Sequence, residues 1–357
     1  MNNRFNKLRM CILALASTGL LFSCTDENNP IIETPPVEDA FMEIDGGGST
    51  FPNMSFVKLS TENQKTVTRS TWDLAFSSSS EFKVLINGTT GAMAYKTDFN
   101  SFDELDESYV EKLRTDGVLL LDFNNMNSIL YVDDPKNPIA NGTAIGSIAN
   151  TESESKVIVY QRGKGGVEER EWQKLRVFKS GVKYILQYAP IASEDYTTVE
   201  ITKDSDFNFV YFSLDSGKVE VEPKKNDWDF VWTAGTSSTP FPQAANGTLG
   251  YFFQDLVYHN IYGGVGAAVV MEEFKAYENF EETDLAGITF NTDDRLTIGS
   301  SWRSGGGPNA SPAVREDRYY LLKDNKGNIY KLRFLSLTSG GERGRPSLEY
   351  ALVKSGS

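Results

Sequence analysis

A tryptophan–aspartate pair inside an apolar strand occurs twice in this chain, and the blocks around it recur in the same order. The first set reads Phe56-Val57-Lys58-Leu59-Ser60 and then Trp72-Asp73-Leu74-Ala75-Phe76; the second reads Phe209-Val210-Tyr211-Phe212-Ser213 and then Trp228-Asp229-Phe230-Val231-Trp232. Downstream, Lys174-Leu175-Arg176-Val177-Phe178 matches Lys331-Leu332-Arg333-Phe334-Leu335, and Leu186-Gln187-Tyr188-Ala189 matches Leu348-Glu349-Tyr350-Ala351. The interval from Trp72 to Lys174 is 102 residues and that from Trp228 to Lys331 is 103. Two units are too few for a solenoid, so the pattern predicts a duplicated β-rich domain, one copy over 46–195 and the other over 196–357.

The N-terminus predicts an export and lipidation signal. Arg4, Lys7 and Arg9 precede an apolar run from Cys11 to Phe22, too short to span a bilayer but suited to a secretory signal over 1–23. Leu21-Phe22-Ser23-Cys24 resembles the bacterial lipobox, which implies cleavage before Cys24 and acylation of that residue. With Cys11 removed and Cys24 acylated, no thiol remains for a disulfide, a metal site or a nucleophile. Residues 24–45, acidic and carrying Pro30, Pro35 and Pro36, read as an extended tether. Thr25-Asp26-Glu27 is similar to the acidic signals that direct lipoproteins to the outer face of the outer membrane, so the expected placement is lipid-anchored and surface-exposed.

The net charge of −14 becomes −17 once a segment carrying three basic and no acidic residues is removed. Such a surface repels nucleic acid and anionic lipid headgroups. Short β-branched and aromatic runs bounded by Gly, Asn, Asp or Ser, such as Val157 to Tyr160, Tyr184 to Tyr188 and Tyr319 to Leu322, predict strands and an all-β fold. Asp324-Asn325-Lys326-Gly327 and Gly163-Lys164-Gly165-Gly166 read as corresponding hairpin turns in the two copies. One helical insertion is expected after Ser101-Phe102-Asp103-Glu104, which has capping-box spacing and places Phe102, Leu105, Tyr109 and Leu113 on one face; a shorter counterpart is expected near Phe274 to Phe280.

His259 is the only histidine, and the companions of a Ser-His-Asp triad, a two-histidine zinc site or a metalloprotease motif are missing around it. The Gly263 to Ala268 segment runs into Val269-Val270, a strand and not the helix N-terminus a phosphate loop requires. Asp204, Asp206 and Asn208 alternate as in a calcium loop, but Phe209 stands where glycine is needed, so they read as a polar turn. The expectation is a non-enzymatic protein.

The repeated Trp-Asp strands, the Gly-rich segments before Met93 and Val269, and the closing Lys-Leu-Arg and Leu-Glu-Tyr-Ala strands resemble the HmuY family of Bacteroidetes lipoproteins. The resemblance is clearer over about 200–353 than over about 50–190. It implies a palm of strands with projecting finger hairpins, haem as cofactor, and delivery to a TonB-dependent outer-membrane receptor for nutrient capture. The Trp-Asp motifs read as structural, a buried indole beside a hydrogen-bonded carboxylate. Haemophores of this kind use two axial ligands, often both histidine, and this chain departs by having one. His259, flanked by Tyr258 and Tyr262, is the candidate haem-binding group and iron ligand, with the second ligand from another segment, since iron also accepts Met or Tyr. Met271 nearby fails as that partner: a tight hairpin at Gly263-Gly264 would put it on the other face from His259 or pointing the same way. The alternative function is a surface adhesion or scaffolding module that contacts protein or glycan and keeps the fold without a haem site.

Overall fold

The apolar runs become strands, and most are buried on both faces. The computed structural model describes residues 35–305 and 311–356. The first half supplies β1 Asp39–Glu43, β2 Asn53–Lys58, β3 Asn63–Thr68, β4 Leu74–Ser77, β5 Val84–Ile86, β6 Met93–Lys96, β7 Ile158–Gln161, β8 Gln173–Ser180 and β9 Lys183–Pro190. The second supplies β10 Thr197–Ile201, β11 Phe209–Ser213, β12 Gly217–Val219, β13 Phe230–Pro240, β14 Thr248–His259, β15 Gly266–Met271, β16 Arg318–Lys323, β17 Ile329–Ser339 and β18 Glu342–Lys354. No helix among the described residues is long and apolar enough to cross a membrane.

These strands form four antiparallel sheets, ordered β1-β18-β17-β16-β15, β14-β13-β2-β3, β12-β11-β4-β5 and β10-β9-β8-β7-β6. Alternation along each strand assigns its faces. On β11, Val210 and Phe212 join the core with Tyr160, Leu175 and Leu186, whereas Phe209 and Tyr211 join a second core with Met54, Phe56, Trp72 and Trp228. On β13, Phe230 and Trp232 pack with Leu332, Leu348 and Tyr350, and Val231 turns to the second core. The sheets therefore stack as four layers, with the two four-stranded sheets innermost. Burial on both sides explains why β4 and β11 read as continuous apolar runs and not as alternating ones.

The duplication is visible in the strand order, but the expected boundary at 195–196 does not separate two bodies. Residues 36–357 form one compact unit. The β2–β3 hairpin of the first half pairs with β13 of the second, and β11–β12 of the second pairs with β4 of the first. The two exchanges correspond with a two-residue shift from the sequence blocks: Phe230 stands opposite Val57 and Leu74 opposite Phe212, whereas the blocks align Phe212 with Leu59. The first strands are exchanged as well, β1 onto β18 and β10 onto β9. The three cores between facing sheets draw side chains from both halves, and only the two outer clusters stay within one half each. The predicted tether also ends earlier than residue 45: Met42 and Ile44 are buried, and β1 closes the edge of a five-stranded sheet. Residues 1–34, including the predicted signal and Cys24, lie outside the described residues.

The Trp-Asp motif is the joint of the exchange. Asp73 donates its backbone N–H to Phe212 O (2.8 Å), and its carboxylate accepts from Leu214 N (2.8 Å). In the counterpart, Asp229 donates to Val57 O (2.7 Å) and accepts from Leu59 N (2.8 Å). Each aspartate thus caps the end of the other half's strand. The buried charges are neutralised differently: Asp73 meets Arg162 (3.0 and 2.8 Å) and Arg170 (3.0 Å), and Asp229 meets Lys58 (2.7 Å). A second matched pair follows each Trp. Asn87 donates to Trp72 O (2.6 Å) and Asn260 to Trp228 O (3.1 Å), each capping the 3-10 turn before β6 or β15.

The helical insertions cover the outer faces. The Ser101–Glu104 capping box forms, but it closes a 3-10 turn, and the α-helix begins later, at Glu107–Thr115, on an Asp106 cap that accepts from Tyr109 N (2.8 Å). Val110 and Leu113 of that helix pack with Met93, Val159 and Trp172. On the opposite side, 3-10 turns Tyr277–Asn279 and Glu282–Leu285 bring Tyr277 and Phe280 against Tyr319 and Leu321. The β16–β17 turn places Gly327 at φ +87°, the left-handed conformation that glycine adopts without strain.

Candidate functional site

The sequence candidates Tyr258, His259 and Tyr262 are brought together on the wall of one cavity of about 90 Å³ between the two inner sheets. None of them faces an open cleft. His259 ends β14, opposite Phe230, with the ring buried. Its Nδ1 lies 3.1 Å from Arg295 O and its Nε2 lies 3.0 Å from Asn291 O. A neutral imidazole donates one N–H, so it bonds one of these carbonyls and turns the lone pair of its other nitrogen toward the second, inside the core. Burial pushes the imidazole down to about 4, against the raising effect of those carbonyls, so the ring is neutral across the physiological range. Iron ligation by His259 would require breaking these contacts and opening the core, so this geometry does not present it as an axial ligand.

The flanking tyrosines are held in the same way. Tyr258 donates to Thr236 O (3.0 Å) and lies under the Arg295 guanidinium, 4.5 Å from the ring centre. Tyr262 donates to Asn137 Oδ1 (3.0 Å) and accepts from Ile139 N (3.3 Å). Burial raises both phenols to about 12. The tight β14–β15 hairpin expected from Gly263-Gly264 does not form: the two strands belong to different sheets, joined by the Asn260-capped turn, and Met271 pairs with Arg318.

The structure adds residues that sequence reasoning did not select. Asp133 accepts from Ile86 N and Ala144 N (both 2.9 Å), and desolvation raises its carboxyl to about 7. Glu222 accepts from Phe209 N (2.9 Å) and Asn208 Nδ2 (3.4 Å), and desolvation raises it to about 8. Arg295 donates Nε to Pro135 O (2.8 Å). Trp72 and Trp228 pack edge-on against Tyr211 and Phe56, as expected of structural indoles, yet the Nε1–H of each is buried without a partner. These groups come from distant segments with no common spacing, so no local motif could have flagged them.

A second surface lies at the β13–β14 finger. Leu120, Phe123, Met126 and Leu130 of the first-half insertion are exposed side by side in sequence, Phe123 and Leu130 by 50% each. They are docked on the finger by Ser128 Oγ donating to Gly250 O (3.0 Å) and Ala245 N donating to Met126 O (2.8 Å). A side chain at residue 250 would meet Ile129 N at 3.3 Å, so glycine permits this close approach. Phe123 packs on Tyr251 with ring centres 4.1 Å apart, and Tyr251 meets Phe253 edge-on at 5.7 Å. The result is a partly exposed aromatic surface at the finger, flanked in the chain by the exposed Leu120, Met126 and Leu130. The signal in sequence was the apolar side chains of a turn-rich insertion, legible only as an irregular run.

No curated protein matches the chain. Among solved structures, apo PinO from Porphyromonas gingivitis aligns over 89% of this chain and 99% of its own at 8% identity and a TM-score of 0.27. The crystal structure of "a putative lipoprotein" from Bacteroides fragilis aligns over 89% of this chain and 92% of its own at 10% identity and a TM-score of 0.23. Neither likeness bears on what this chain binds. Residues 205–350 match the family model of the HmuY protein, from just before β11 into β18.

Proposed function

We propose that the protein is a non-enzymatic, lipid-anchored outer-membrane lipoprotein that binds haem or a related tetrapyrrole for nutrient acquisition, on the aromatic surface at the β13–β14 finger. The observation that carries the reading is the Phe123–Tyr251 ring pair, Phe123 exposed and Tyr251 half-buried, with exposed Met126 three residues further along the same insertion. A flat apolar ring system stacks on such a pair. Among the described residues Met126 is the one methionine that is exposed, and a thioether is an accepted axial donor to haem iron. The interior cavity, at about 90 Å³, is too small to compete, since ligand pockets run to roughly 300–1,000 Å³. The HmuY-family match and the lipobox-like Leu21 to Cys24 support the same reading, with a TonB-dependent receptor as the partner that would take the ligand onward.

The test is a haemin titration of the purified protein. A sharpened, shifted Soret band at stoichiometric loading is expected, weakened at least tenfold in Met126→Ala, equivalent to about 1.4 kcal/mol. No spectral change at stoichiometric haemin would sink the proposal and leave the same surface to protein or glycan contact, the adhesive reading.

A further inference from the structure

We propose that the cavity between the inner sheets is a binding site for a small carboxylate anion, held by the indole N–H groups of Trp72 and Trp228 and the guanidinium of Arg295. All three residues line it. The two indoles occupy equivalent places in the duplicated halves, both are more than nine-tenths buried, and both Nε1–H groups lack a protein acceptor. A buried donor left unmade costs about 1–3 kcal/mol, so the occupant of this space accepts hydrogen bonds. Arg295 commits Nε to a carbonyl and lays its guanidinium on the Tyr258 ring, and its charge reaches the cavity's Asp133 through space without a close ion pair among the described residues.

The cavity's own acids do not fill that role. Asp133 and Glu222 each already accept two donors from neighbouring segments. Burial raises Glu222 to about 8 and Asp133 to about 7, so near neutrality the first is mostly protonated and the second about half so, which lessens their repulsion of an anion. A cation is the poorer fit, because the open groups are donors and the available acceptors are taken. Size agrees: at about 10–15 Å³ per water, roughly six waters fill the space, the room an anion of a few heavy atoms needs.

Acetate is the probe. In the ¹⁵N-indole spectrum of the full chain, acetate at constant ionic strength is expected to shift the Trp72 and Trp228 resonances saturably and leave those of Trp172, Trp232 and Trp302 unmoved. Trp72→Phe and Trp228→Phe assign the signals. Arg295→Gln is expected to weaken the saturation at least tenfold, with Arg295→Lys recovering part of it. Should Arg295→Gln fail to fold, bromide-soaked crystals of the unaltered protein decide the matter, through anomalous density within hydrogen-bond reach of both Nε1 atoms. Indole resonances that do not saturate, or ordered water alone in the cavity of a bromide-soaked crystal, would overturn the proposal.

Discussion

Asp73→Asn should loosen the whole molecule and not one half of it. The carboxylate is fully buried, accepts two bonds from Arg162 and one from Leu214 N just past the partner half's β11, and pairs with Arg170 at 3.0 Å. The amide keeps the shape but removes the charge that balances two largely buried guanidinium groups. Losing one partner of a buried ion pair costs about 3–5 kcal/mol. Arg162 retains Asp215, whose side chain is 63% exposed, and a pair open to water restores at most about 1 kcal/mol. A net loss of about 2–5 kcal/mol remains. At about 2 °C per kcal/mol for a unit of this size, the melting midpoint should fall by roughly 4–10 °C. Calorimetry alongside near-ultraviolet circular dichroism would show one transition, displaced as a unit, because the exchanged strands make each half's core depend on the other. Two separated transitions with only one displaced, or a loss below about 1 kcal/mol, would refute the reasoning. Asp229→Asn should cost less, since Lys58 keeps Asp324 at 3.7 Å.

Glu222 should make stability fall with rising pH. Its folded carboxyl is held at about 8 against an ordinary 4.5, so its contribution is complete below 4.5 and is lost as pH rises through 8, at up to about 1.4 kcal/mol per pH unit. Denaturant titrations should show a flatter profile across that window in Glu222→Gln, and an unchanged slope would remove Glu222 as the source. His259→Ala should destabilise the fold by about 2 kcal/mol or more through lost packing while leaving haemin affinity within twofold; a tenfold loss of affinity in a folded variant would return His259 to the site. Cys24→Ser should abolish lipidation, and detergent-phase partitioning equal to that of the unaltered protein would reject the lipobox reading.

How the halves fit together was legible only in part. The Trp-Asp blocks, the strand runs and turns such as Asp324 to Gly327 are local patterns, and local patterns state which residues want burial and where the chain reverses. They predict the all-β fold and the burial of Trp72, Asp73, Trp228 and Asp229, which the structure contains, and a division at 195–196, which it does not. They do not state which copy of a strand supplies the pairing partner. Because the halves repeat, Val57 presents the same apolar face whether it meets the β4 of its own half or β13 of the other, and only the folded chain chooses the latter. The candidate site was hidden for the same reason. A lone histidine between tyrosines looks the same in sequence whether its nitrogens meet iron or the carbonyls of Asn291 and Arg295, residues more than thirty positions away. Likewise Phe123 and Tyr251, or Trp72, Trp228 and Arg295, share no spacing; they become neighbours because exchanged strands and an insertion docked on a finger carry them to one place. Composition and periodicity report the free energy of burying a segment, whereas a binding surface depends on which distant segments that burial leaves side by side.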